Sequence, residues 1–487
     1  MNNALVIIII FPLFLAVFSL IIRSVPLLPY ICSFFIPILG AFVAMSVYFD
    51  GVIEYSIGGW AAPLGITLYA DGLSALMILT VSIVLAFLTG YLQSYLKAEK
   101  INTKSQKYIS SVWLFMWGSL NALFLSRDIF NLYVTLELVG LCSVILIVTA
   151  QTENALRAGL RYFILAMLGS LTYLFGVVMV YRSVGVLDLF LISEIADVKN
   201  FQIQLGLSFM LLGLFIKGAI FPFHFWLPPA HANALSPVSA LLSAIVVKAP
   251  FYLCIRIITI PGKNFLDMWT MVPILIFSVC AVFWGSFLAL RQNNLKMLIA
   301  YSTVAQLGYL YIMLYFIAGY KSISIETYKN AFAGVIYYCI SHMVAKAALF
   351  MSAGNMIYAS DTHRISEIKK YKLFIPVTIF AFGASSVSIM AMPPSGGFIG
   401  KWMMLFVSLN SDHWFIFFVL LLGSILSLSY IFRAFKMFFI ESDEQLIEVK
   451  PIPFIMEFSA LSLGIIVLFM GFLSHYPLQL LLNWTLF

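Results

Sequence analysis

Residues 213–229 read Gly213-Leu-Phe-Ile-Lys217-Gly-Ala-Ile-Phe-Pro222-Phe-His224-Phe-Trp-Leu-Pro228-Pro229. A lysine stands inside an apolar run, and a proline follows one turn later. Proline removes a backbone donor and breaks the helical ladder. In lipid, non-helical backbone is tolerated only where protein or a wet cavity surrounds it. A second stretch repeats the device: Met392-Pro393-Pro394-Ser-Gly396-Gly397-Phe-Ile-Gly400-Lys401-Trp402. A kink made for packing explains one such break more easily than two, each beside a lysine.

The rest of the chain requires lipid as its solvent. Of 487 residues, 63% are hydrophobic and only 10% charged, with a mean hydropathy of +1.04. Ordinary soluble domains are about 25% charged, and disorder needs low hydrophobicity. Fourteen apolar runs of span length recur from residues 4–22 to 455–477. Each can cross about 30 Å of hydrocarbon at 1.5 Å per residue. The seventh covers 206–226, and the twelfth covers 373–392 continuing through 398–410. The first has no Lys or Arg before it and no small-residue cleavage site after it, which favours a retained span over a signal peptide.

The expected fold is an all-α polytopic membrane protein. The broken spans are each fourth in a group of five, spans 4–8 and 9–13. Two consecutive groups of five run in opposite directions across a membrane, the arithmetic of inverted repeats with broken helices at midplane. The expected organisation is an N-terminal three-helix segment (1–107), a first repeat (108–258), a second repeat (269–435) and a C-terminal helix (436–487).

Lys and Arg set orientation. Loops after odd-numbered spans hold 16 of them, including Arg23, Arg157, Arg161, Lys296, Lys369, Lys370 and Lys372; loops after even-numbered spans hold 7, including Lys199 and Arg256. This places the odd loops in the cytoplasm and both termini outside. The segment between Asp50 and Asp71 has no Lys or Arg and fits an outer hairpin. The net charge of +7 fits cytoplasmic loops better than nucleic-acid binding. The five cysteines show no CxxC or Cys/His spacing, giving no support to a disulfide framework or metal site.

Five charged side chains fall well inside spans: Glu137, Lys217, Lys248, Lys346 and Lys401; His342 joins them. Four lysines facing lipid would cost about 10–14 kcal/mol on insertion scales. They are therefore expected to face protein or water, and such residues are functional candidates by default. Glu137 with Lys217 also fits a purely structural pair. His342 and Lys346, four apart, share a helix face. Lys401 lies closest to a helix end, within reach of the outer interface. Burial disfavours an ammonium's charge and a nearby carboxylate restores it, so a row of such groups bridged by water is a proton path. His224 and His231 are access-side candidates.

The segment from Lys217 to Pro228, then Ala-His231, Ser236-Pro-Val-Ser-Ala-Leu-Leu and Lys248, resembles the antiporter-like proton-translocating subunits. That family includes the large membrane subunits of respiratory complex I and the A and D subunits of Mrp-type cation/proton antiporters, with relatives in membrane-bound hydrogenases. Leu295-Lys296-Met-Leu-Ile-Ala-Tyr-Ser-Thr-Val-Ala-Gln-Leu-Gly-Tyr309 and the His342/Lys346 helix are similar to the same family. The pattern is most similar to the D type, with the N type of complex I as the alternative. The resemblance implies that Glu137 tunes Lys217, Lys248 connects the halves, His342 and Lys346 relay, and Lys401 exchanges with the outside. It implies protons and Na⁺ as cargo, homologous membrane subunits as partners, a bacterial plasma membrane location and no cofactor. Pro229 stands where many relatives carry Asp, which removes support for an acidic role there. No GxGxxG follows a strand, and nothing recognisably binds NAD, flavin or quinone. Whether a cation gradient or redox chemistry supplies the drive stays open, as does a structural subunit with inactive channels.

Overall fold

A computed structural model describes residues 2–21, 27–197, 200–368, 375–436 and 449–484. Two N-terminal helices, α1 (Asn2–Ile21) and α2 (Leu27–Asp50), precede an antiparallel hairpin of β1 (Ile53–Ser56) and β2 (Thr67–Ala70), in register from Ile53 opposite Ala70 to Ser56 opposite Thr67. Then follow α3 (Gly72–Ala98), α4 (Thr103–Leu125), α5 (Ile129–Val148), α6 (Glu153–Val184), α7 (Leu189–Ile195) and α8 (Phe201–Lys217). The central stretch holds α9 (Leu227–Asn233), α10 (Ser236–Leu241) and α11 (Lys248–Thr259). The second half holds α12 (Val272–Arg291), α13 (Leu295–Ala318), α14 (Ile325–Ser360), α15 (Ile365–Ile368), α16 (Pro376–Ile389) and α17 (Gly396–Asn410). The chain closes with α18 (Trp414–Lys436), α19 (Phe454–Phe469) and α20 (His475–Trp484).

Eleven helical stretches are long and apolar enough to cross a membrane by length and composition, counting Ser236–Thr259 as one, and α8, α16 and α19 are shorter apolar helices. These fourteen coincide with the fourteen apolar runs, and α17 completes the twelfth. Several helices start on side-chain caps that satisfy orphan amides: Asp71 accepts from the Ser74 amide, Asp128 from Asn131 and Ser324 from Thr327.

The structure amends the sequence reading at several points. The outer-hairpin segment is a two-stranded sheet, so the fold is not purely helical. The last span ends at Phe469, and a second short helix, α20, packs back against α3 and α14. Arg157 and Arg161 stand on the first turns of α6, not in a loop, because its polar first turns extend the apolar run. Gly396 and Gly397 open α17 and do not lie in the break; a Cβ on Gly397 would clash with the Ser388 carbonyl. Arg23, Lys199, Lys369, Lys370 and Lys372 of the charge census lie outside the described residues, as does most of the polar stretch 436–453.

Small residues set one close helix pair. Gly169 and Gly176 of α6 face Gly213 and Gly206 of α8: a Cβ on Gly169 would meet the Gly213 carbonyl at 2.8 Å, and one on Gly176 would press still closer on that of Gly206. The order reverses between the helices, so they run antiparallel. Where lipid supplies no hydrophobic drive between helices, such close approach is the main source of packing energy.

The two broken spans share local geometry. Ala219 and Ala391 both take left-handed backbone, with φ of 54° and 57°, a region uncommon for non-glycine residues. Each precedes its proline by three residues: Ala219 with Pro222 and Ala391 with Pro394, one spacing of 172 residues relating both pairs. The two breaks therefore share one local design.

Candidate functional site

The line of polar groups starts at the break after α8. Lys217 is its last helical residue, and its Nζ donates to Glu137 Oε1 of α5 at 2.6 Å. The side chains are 6% and 18% exposed. The glycine pairing of α6 with α8 makes room for the amine: a Cβ on Gly169 would sit 2.9 Å from Lys217 Cγ, and one on Gly140 would sit 4.0 Å from Nζ. The Glu137 carboxylate creates a place where an ammonium can be held inside the membrane. His224 lies within the same break, its ring stacked on Phe221 at 5.4 Å.

The middle of the line is built by a feature with no sequence signal. Between α10 and α11, residues Leu242–Val246 form one π-helical turn. Such turns appear frequently at functional sites. Here the widened turn aims the Ser243 carbonyl at Lys248, whose Nζ donates to it. Ser243 Oγ meets Thr303 Oγ1 at 2.8 Å. On the same helix α13, the neighbouring Ser302 Oγ and the Ile299 carbonyl one turn back accept from Lys346 Nζ at 2.5 and 3.1 Å. Lys248 and Lys346 are fully buried, and His342 is 2% exposed. Among the described residues neither ring nitrogen of His342 finds a protein partner, and the ring stacks on Tyr338. The charges facing it are Lys248, Lys346 and Lys401. The buried Tyr311 links this centre to the Lys217 end: its hydroxyl lies against Gly218 and faces the Cys254 and Cys339 thiols.

At the far end Lys401, one turn into α17, lies 4.2 Å over the Tyr309 ring and 5.7 Å from that of Tyr338. Its Nζ donates to Ser424 Oγ at 3.4 Å. Tyr338 donates to Gln306 Oε1, and Gln306 Nε2 donates to the Tyr430 hydroxyl at 2.8 Å. Lys401 is 4% exposed, so it sits in an aromatic and hydroxyl pocket and does not reach the outer interface. Aromatic faces hold the cation that the proximity to the helix end suggested water would hold.

Glu137 with Lys217, then Lys248, His342 and Lys346, then Lys401 thus occupy one connected interior region. Among the described residues, Lys248, Lys346 and Lys401 pair with no carboxylate. Sequence reading missed two further buried cations by assigning them to loops. Arg256 donates from both terminal nitrogens to Asp71, at 2.6 and 2.7 Å, and from Nε to Tyr252. Lys296, only 3% exposed, donates to the Ala234 carbonyl at 2.8 Å. Both are close to a helix end, where a charge looks solvated in one dimension.

Fold and site define a polytopic membrane protein with a buried row of amines along its interior. Residues 126–427 match the family described as NADH:quinone oxidoreductase/Mrp antiporter, TM, and the chain belongs to that family. It is 27% identical over 447 residues to the D subunit of the Na(+)/H(+) antiporter of Alkalihalophilus pseudofirmus, covering 89% of this chain and 86% of the relative. It is 29% identical over 390 residues to the N subunit of the NADH-quinone oxidoreductase of Desulforudis audaxviator, covering 79% and 74%. Among solved structures it superposes on a chain of the Mrp complex from a Dietzia species with a TM-score of 0.88 at 20% identity, covering 99% of this chain and 96% of that one.

Proposed function

We propose that this chain is the proton-translocating subunit of a multisubunit monovalent cation/proton antiporter, moving protons along Glu137, Lys217, Lys248, His342, Lys346 and Lys401 in exchange for Na⁺. The observation that carries the reading is the burial of Lys217, Lys248, His342, Lys346 and Lys401 inside the protein, with a carboxylate among the described residues only at the Lys217 end, where Glu137 is partly buried. When Glu137 holds Lys217 close, the ammonium is stabilised; when the pair parts, the proton is released towards Lys248. His342, whose ring nitrogens have no partner among the described residues, can accept on one and donate from the other. The relative named for a Na(+)/H(+) antiporter supports the cation-driven reading. We place the chain in a bacterial plasma membrane beside homologous subunits, its termini outward, with the two five-helix repeats as its working halves.

The test is Lys217→Ala in the assembled complex, with proton/cation exchange followed in everted vesicles. Loss of exchange is expected; undiminished exchange defeats the proposal. The second reading rests on the relative named for an NADH-quinone oxidoreductase: the same path, driven by electron transfer in other subunits. Copurification with iron–sulfur subunits would favour it over cation exchange.

A further inference from the structure

Lys296 and His231 do not belong to the row from Lys217 to Lys401, yet both are buried where a structural role is poorly served. Lys296 is the second residue of α13, so its charge lies near the positive end of the helix dipole. It is 3% exposed, and the group it donates to is the neutral Ala234 carbonyl. His231 lies in α9, three residues before Ala234, and is fully buried. The Ser239 backbone faces its ring, but among the described residues neither ring nitrogen reaches a partner at bonding geometry. Three amines face this imidazole: Lys248, Lys346 and Lys296. Ser239 Oγ donates to the His231 carbonyl at 2.7 Å, which fixes the segment between α9 and α10.

The same lysine, itself buried, has a second titratable neighbour. Its charge is directed at His363, an exposed residue of the turn after α14. The His363 carbonyl accepts from the Leu295 amide at 2.9 Å, so this turn is tied to the start of α13. Partial burial and the neighbouring Lys296 hold the His363 imidazole below its usual range, against the opposing pull of Asp361.

We propose that His231 and Lys296 form a side branch that carries protons between the central lysines and the end of the molecule where α12 turns into α13, with His363 as its outermost titratable group. The branch rests on the proton-path reading of the amine row. Only protons move along it. An N–H bond on the donor breaks as one forms on the acceptor, with water bridging gaps between side chains. His231 takes a proton on one ring nitrogen and gives one from the other, so the imidazole changes tautomer without holding a lasting charge. Lys296 passes the proton between His231 and His363.

The test uses the assembled complex in vesicles, with proton flux read by a pH-sensitive dye. Lys296→Met keeps the volume and removes the proton carrier; flux is expected to fall by at least about tenfold. His363→Ala is expected to slow flux in weakly buffered medium, and imidazole added on that side is expected to restore it. A structural role would not respond to a mobile buffer. Wild-type flux in Lys296→Met, or in weakly buffered His363→Ala, overturns the branch if Lys217→Ala in parallel abolishes transport. Unchanged transport in Lys217→Ala overturns the path itself, and the branch with it. If Lys296→Met does not assemble, the His363 arm decides.

Discussion

Two buried ion pairs show how residue type divides structure from transport. Arg256 grips Asp71 with two nitrogens, and a guanidinium stays charged in a protein. Lys217 holds Glu137 through one ammonium that can give up its proton. Removing the carboxylate should therefore have opposite consequences. Asp71→Asn strands a permanent cation and is expected to cost about 3–5 kcal/mol, read as a lower thermal-unfolding temperature of the detergent-solubilised protein. Glu137→Gln leaves an amine that can discharge itself, so stability should change less while proton flux falls by about a hundredfold. A variant pair behaving the other way round would reverse the assignment. Lys217, Lys248, Lys346 and Lys401 were legible in sequence because hydrocarbon penalises an ammonium wherever it lies deep in an apolar run. Arg256 and Lys296 were not, because at a helix end only the fold reveals whether a charge is covered.

At the scale of elements, glycine spacing and one widened turn position the amines. Gly169 and Gly176 are seven apart, as are Gly206 and Gly213. This spacing was visible in sequence, but its partner helix was not. Gly176→Leu would drive its Cβ into the Gly206 carbonyl, so α6 and α8 must separate; assembly yield and thermal stability are expected to drop. Gly185 has no neighbour within 4 Å of its virtual Cβ but a φ of +74°, so Gly185→Asn, which tolerates that backbone, is the mild control. The π turn at Leu242–Val246 tests a different idea. Deleting Ala244 removes its extra residue and rotates α11 by about 100°, turning Lys248 away from the Ser243 carbonyl and from His342. Transport should vanish while the helix persists, measured by flux against complex yield. Apolar residues such as Leu-Ser-Ala-Ile-Val fit α and π turns alike, which is why no sequence pattern announced this break, whereas proline announced the other two.

At the scale of the whole molecule, the charge census predicts which end faces the cytoplasm. Leu64, 82% exposed in the connection between β1 and β2, and Lys100, exposed in the turn after α3, lie in loops assigned to opposite sides. A membrane-impermeant maleimide should label Leu64→Cys in intact cells and Lys100→Cys only in everted vesicles, in a background lacking the partly exposed Cys280. The reverse pattern would invert the topology and the direction assigned to every step. One helix crosses all of this interior. The 36 residues of α14 extend about 54 Å, well beyond the hydrocarbon thickness, and His342 and Lys346 lie near its midpoint. A stiff rod rocking on a fulcrum sweeps its tips and barely shifts its centre. A seesaw motion of α14 would therefore move its two ends most and the contact of Lys346 with Ser302 least.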